Sequence, residues 1–218
     1  MPQENVFDSK LMMINPWMKI SNSDYENHMS ELGQAQILNE LTRIMLEKYN
    51  PMSFALLGCT TGNGLEHVNQ LTTKNVYAID INPNYIELTR EKFENKIDNL
   101  ITYNIDIGKD KLVFTNVDLF FIGLVLEYIE PEKALEKIIR TLSNNGVLVI
   151  IIQKSKQKRF VSKTKYKSLE SLSQILKEID EIKLDDFIQK KNMTLVERKE
   201  MELSKNKSFI LLTYKNQI

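Results

Sequence analysis

Between Ser53 and Ile152 short apolar runs alternate with segments patterned for helix, and this alternation narrows the fold more than any other feature of the chain. The runs are Ser53–Leu57, Val76–Ile79, Leu100–Ile105, Val117–Gly123 and Val147–Ile152. They are nearly continuous in apolar residues, the pattern of strands covered on both faces, so they predict a parallel sheet with helices on either side. Ser30–Lys48 is expected to be one amphipathic helix ended by Pro51. Helices are also expected after the second strand, from Pro83 to about Lys96, and over Pro131–Leu142. Asn144-Asn145-Gly146 reads as a turn, and Leu169–Ile179 and Leu184–Lys191 as helices. The tail changes character. Met193–Leu203 and Ser208–Tyr214 are extended runs separated by four polar residues, which makes a hairpin and requires an antiparallel strand. The expected fold is therefore α/β: a doubly wound, mostly parallel seven-stranded sheet with a C-terminal antiparallel hairpin and an N-terminal helical cap. One structural domain is expected, with residues 1–50 as cap or lid and 51–218 as the main body.

Glycine marks where to look for chemistry. The chain has only seven, and Gly58, Gly62 and Gly64 fall in one seven-residue window after the first strand. A loop of this kind brings free backbone N–H groups and a helix start to the carboxyl edge of a strand, with the helix expected to run through Leu71. Sixteen residues beyond Gly64, Val76-Tyr-Ala-Ile-Asp80 ends a second strand in an acid, and a carboxylate there can accept both hydroxyls of a ribose. Together they point to a nucleoside ligand. A dinucleotide fingerprint would place glycines at the first, third and sixth positions, which here are Gly58, Thr60 and Asn63.

Glycines at the first, fifth and seventh positions instead resemble motif I of the class I S-adenosylmethionine (SAM)-dependent methyltransferases. The terminal hairpin, Asp80, Ile105-Asp106-Ile107 and Val117–Gly123 followed by Leu124–Tyr128 are similar to that superfamily too, in order and spacing, over about Met52–Tyr214. The resemblance implies SAM as cofactor, S-adenosylhomocysteine as product, and a cofactor site built from Gly58, Cys59, Thr60, Gly62, Asn63, Gly64, Asp80, Ile81, Asp106, Ile107 and Gly123. Two positions depart from the pattern: Leu56 stands where an acid near the methionine amine is usual, and Thr60 where glycine is usual. A non-catalytic SAM-binding homologue therefore stays open beside the enzyme, as does an NAD(P)-binding enzyme on a similar sheet.

The polar, aromatic segment from Trp17 to Met29 precedes the first long helix, where the superfamily often attaches a lid. Tyr25 and His28, on one helical face, are candidates for contacts to the methionine end of SAM that Leu56 cannot make. His28 and Glu127 are the candidate general bases, and Trp17 and Tyr128 are candidate pocket walls. Cys59 reads as a packing residue, and His67 as an exposed helix position.

Lys154–Lys167 holds seven basic residues and no acid, a solvated loop or an attraction for an anionic acceptor. With 29 basic against 29 acidic side chains the composition gives no general affinity for nucleic acid or an anionic membrane. A small-molecule acceptor is expected, with no nucleic acid and no membrane. One Cys and two His offer no metal spacing, so no metal is expected. The apolar runs are too short to span a bilayer and Met1–Lys10 lacks a leader pattern, so a cytoplasmic location is expected. The acceptor and the oligomeric state are not legible.

Overall fold

A computed structural model of the chain describes residues 15–156, 161, 162 and 164–216. The expectations on the leader region and on part of the basic run, residues 157–160 and 163, lie outside these. One sheet holds seven strands: β1 (Ser53–Leu57), β2 (Asn75–Asp80), β3 (Leu100–Asn104), β4 (Val117–Gly123), β5 (Leu142–Ser155), β6 (Met193–Ser204) and β7 (Lys207–Asn216), in the order β3-β2-β1-β4-β5-β7-β6. β1 to β5 pair in parallel, and β7 slots antiparallel between β5 and β6. The order reverses direction at β1 and β4, the point where open α/β sheets bind ligands at their carboxyl edge.

Among the described residues five α-helices flank the sheet: α1 (Asn22–Glu31), α2 (Gln34–Tyr49), α3 (Pro83–Phe93), α4 (Pro131–Ile139) and α5 (Glu181–Gln189). β1 is buried at every position because both faces are covered. Ala55 and Leu57 pack in the cluster holding Leu135 and Ile138 of α4 and Leu184 and Ile188 of α5. Phe54 and Leu56 join Leu38, Leu41 and Met45 of α2 and Ile86 and Phe93 of α3. Fully burying side chains of this size stabilises by roughly 1.5–3 kcal/mol each.

Four local expectations are corrected. The single helix over Ser30–Lys48 is two, because Gly33 adopts φ +68° and turns the chain between α1 and α2. No α-helix follows the glycine loop; a 3-10 turn over Leu65–His67 and further turns take its place. The sequence there, Val68-Asn69-Gln70-Leu71-Thr72-Thr73, is poor helix material. Asn69 Oδ1 accepts from Leu71 N at 3.0 Å and Thr73 Oγ1 donates to Pro51 O at 2.8 Å, so side chains compete with the helical ladder. Asn144-Asn145-Gly146 does not end the chain's extended run. It lies inside β5, where pairing shifts from Val117–Leu142 to Leu119–Val147 and absorbs the extra residues as an irregularity. The helix expected over Leu169–Ile179 is a 3-10 stretch, Lys167–Gln174.

Candidate functional site

The carboxyl ends of β1, β2 and β4 open into one cavity, with about 1110 Å³ of empty space counting its mouth. Its floor is Leu57, Gly58 and Thr60 from β1 and the glycine loop, Asp80 and Ile81 from β2, Ile105, Asp106 and Ile107 after β3, and Gly123, Leu124 and Val125 from the tip of β4. Trp17, Tyr25, His28 and Met29 from the N-terminal segment close it from above, and Glu127, Tyr128 and Gln153 wall the β4–β5 side.

Most amides of the glycine loop are engaged rather than free, contrary to expectation. Gly58 N and Cys59 N both donate to Ile79 O, at 2.8 and 3.1 Å, and Gly62 N donates to Cys59 O at 2.8 Å. Thr60 N donates to Asp80 Oδ2 at 2.9 Å and Gly64 N to Glu66 Oε2 at 2.8 Å. With these five donors engaged, few loop amides remain for a phosphate. Asp80 Oδ1 accepts from Asn82 N at 2.8 Å, and the carboxylate keeps capacity for a further donor. Burial pushes Asp80 up to about 6, against the three backbone amides that pull it down.

Thr60 has φ +49° and Leu124 φ +57°; the other non-glycine residues at positive φ are asparagines, which tolerate that region. Both strained residues line the cavity. Thr60 is held by its amide bond to Asp80 and by Thr89 Oγ1, which donates to Thr60 O at 2.8 Å. Such conformations cluster where a structure over-determines a binding surface.

The cap is fastened at several points. Thr61 Oγ1 donates to Glu26 Oε1 at 2.6 Å, Asn82 Nδ2 to Trp17 O at 2.9 Å, and Ser168 Oγ to Asp24 Oδ2. His28 Nδ1 lies 2.8 Å from Thr164 Oγ1. Burial, and then the nearby Lys207 charge, lowers the His28 imidazole below its ordinary range, which keeps it neutral at pH 7. Burial raises the Tyr25 hydroxyl, so it remains a proton donor.

Glu127 is 2% exposed. Its Oε1 accepts from Gln153 N at 2.7 Å, while Oε2 is buried with no hydrogen-bond partner among the described residues. Burial lifts this carboxyl to about 7, with the Gln153 amide pulling the other way.

Of the residues singled out from sequence, the cavity wall includes Tyr25, His28, Gly58, Thr60, Asp80, Ile81, Asp106, Ile107, Gly123 and Glu127, together with Trp17 and Tyr128. It does not include Cys59, Gly62, Asn63 or Gly64. Cys59 is buried in the core, and burial raises its thiol well above the ordinary range. A Cβ at Gly62 would sit 2.4 Å from the Phe93 ring, and one at Gly64 2.7 Å from Thr42 Cβ, so these glycines admit core side chains rather than a ligand. Asn63 bonds α2 instead, accepting from Asn39 Nδ2 at 2.8 Å and donating to Ala35 O at 3.0 Å. His67 is half-buried against Asn39 rather than exposed. Leu56 packs in the core, and its neighbour Leu57 faces the cavity. Sequence reasoning missed Leu124, Val125, Gln34 and Gln153; no local signal marks them, because strand order brings them together.

The sheet order, the switch-point cavity and the antiparallel β7 define the class I methyltransferase fold. Solved structures with this fold align over most of the chain. They include plantazolicin methyltransferase BpumL in complex with SAH (15% identity, TM-score 0.67, covering 89% of this chain and 90% of that one). N-methyltransferase NodS from Bradyrhizobium japonicum WM9 in complex with S-adenosyl-L-homocysteine aligns at 16% identity and TM-score 0.62, over 89% and 99%. The 4+2 cyclase SpnF aligns at 11% identity and TM-score 0.66, over 84% and 82%. A search of curated proteins gives no match. Residues 56–150 match the family model described as Methyltransferase domain. The chain therefore holds a segment that matches a methyltransferase domain, set in the class I methyltransferase fold. Among the described residues no helix is long and apolar enough to cross a membrane, and no three His, Cys, Asp or Glu side chains are grouped to hold a metal ion.

Proposed function

We propose that this chain binds SAM in the cavity and transfers its methyl group to a small-molecule acceptor enclosed beneath the cap. The observation that carries the reading is the charge of the cavity. Asp80, Asp106 and Glu127 line it, and no Lys or Arg does among the described residues. A wall of carboxylates beside a loop most of whose amides are engaged suits a ligand bearing positive charge and disfavours the pyrophosphate of NAD(P).

Asp80 accepts the ribose hydroxyls through its remaining capacity, and Asp106 with Ile107 flanks the adenine. Gly58 and Gly123, at the tips of the adjacent strands β1 and β4, bracket the methionine end. Tyr25 and His28 supply it with neutral donors from the cap. When bound, SAM would supply an activated sulfonium methyl open to in-line attack by an acceptor N, O or C, with S-adenosylhomocysteine as the leaving group. The chain's own contribution is orientation and exclusion of water by Trp17, Tyr25 and Met29. Glu127 and His28 are the groups placed to hold an acceptor proton.

A thermal-shift comparison tests the reading. SAM and S-adenosylhomocysteine should raise the melting temperature and NAD and NADP should not, since a ligand selective for the native state stabilises it. Stabilisation by NADP alone would overturn it.

A further inference from the structure

Resting on the methyltransferase reading, we propose that the acceptor is an amine, bound as an ammonium with its nitrogen against Glu127 Oε2 and its apolar body between aromatic and leucine side chains. Three observations carry this. The first is position. Asp80 ends β2, Gly58 follows β1, Gly123 ends β4, and Glu127 accepts from Gln153 of β5, so these residues stand in spatial order along the sheet edge. At about 4.8 Å per strand, the Glu127 carboxyl lies roughly 14 Å along that edge from Asp80, beyond the strands that bracket the cofactor.

The second is the carboxyl group itself. An oxygen buried with no hydrogen-bond partner among the described residues, on a side chain that belongs to the cavity wall and is 2% exposed, is a group left waiting for a donor. Gln153 N satisfies only Oε1. The third is the surround. Trp17 and Tyr128 meet edge to face at 5.1 Å between centroids, and Trp17 also meets Tyr25 at 5.9 Å. Leu169, Leu172 and Leu176 complete the wall. Aromatic faces attract a cation, and the leucines take up an alkyl or aryl body. A carboxylate or phosphate acceptor would meet the Glu127 charge, and an alcohol would give it only a neutral hydrogen bond.

The same contact prepares the nitrogen. One ammonium N–H bond breaks, its electron pair stays on nitrogen, and its proton passes to Glu127 Oε2, which becomes a neutral carboxylic acid. Burial already favours that neutral form. The amine then has the lone pair that methyl transfer needs.

Three probes with one apolar body separate the possibilities: phenethylamine, 2-phenylethanol and 3-phenylpropionate, titrated calorimetrically into the full chain saturated with S-adenosylhomocysteine. Phenethylamine should bind at least about tenfold more tightly than the other two, the low end for a hydrogen bond between charged groups. Glu127→Gln should remove that preference and leave S-adenosylhomocysteine affinity within about threefold. Equal or tighter binding of the alcohol or the acid, or no binding of the amine, overturns the proposal. So does a Glu127→Gln protein that binds S-adenosylhomocysteine and keeps the preference. Failure of the cofactor to bind the wild-type chain would instead overturn the methyltransferase reading, and it is seen before any probe is added.

Discussion

Replacing Glu127 by Gln measures what a carboxyl group in the cavity wall does to the stability of the fold. The folded protein holds this group at about 7 against an ordinary 4.5, so it binds the proton more tightly than the unfolded chain does. Stability is therefore greatest while both states are protonated. It falls as pH rises above 4.5, and the loss is complete once pH passes the folded value of about 7. Separating those two values at ~1.36 kcal/mol per pH unit gives a full loss of about 3.4 kcal/mol. Between pH 5 and pH 8 the loss is about 2.5 kcal/mol. Gln keeps the shape and still accepts from Gln153 N, but it cannot ionise. Its own penalty, a buried NH2 without an acceptor, is about 1–3 kcal/mol at every pH. Asp80 titrates in both proteins and cancels in their difference. Urea unfolding of wild type and variant at pH 5, 6, 7 and 8 should show the difference moving by about 2.5 kcal/mol in favour of the variant. Parallel profiles would refute the reasoning, because they would mean the carboxyl ionises as freely in the folded protein as in the unfolded chain.

Asp80→Asn should weaken SAM by about 10- to 100-fold in calorimetry, the range for losing a hydrogen bond to a charged group; unchanged affinity in a folded variant removes Asp80 from the site. Gly62→Ala should cost about 2–4 kcal/mol in denaturant unfolding, since the added Cβ meets Phe93 at a φ of +84°. Adding Phe93→Leu should recover part of that loss, and a Gly62→Ala protein of wild-type stability would show that the ring is not in the way. The buried Cys59 thiol should react with an alkylating reagent about a hundredfold more slowly in the folded protein than in urea, and rapid labelling of the native chain would contradict its burial.

The sequence by itself determined the sheet. The five short apolar runs and the closing hairpin specify seven strands with an antiparallel pair at the end, because short apolar runs bounded by turn residues suit strands covered on both faces. The slot of β7 between β5 and β6 comes from the tertiary structure. The sequence also located the cavity floor, since Gly58, Asp80 and Gly123 are strand-end residues and strand ends are legible. Only the tertiary structure decided what the glycines are for. Gly62 and Gly64 make room for Phe93 and Thr42, residues 31 and 22 positions away in sequence, which no local pattern can reveal. It decided likewise that most loop amides are engaged and that Asn63 belongs to α2. The unpartnered oxygen of Glu127 depends on a β5 amide reaching only one side of the carboxyl group. Local patterning marks the apolar strands, but hydrogen-bond satisfaction and charge are set by what lies opposite, and in a crossover fold the opposite group comes from a distant part of the chain.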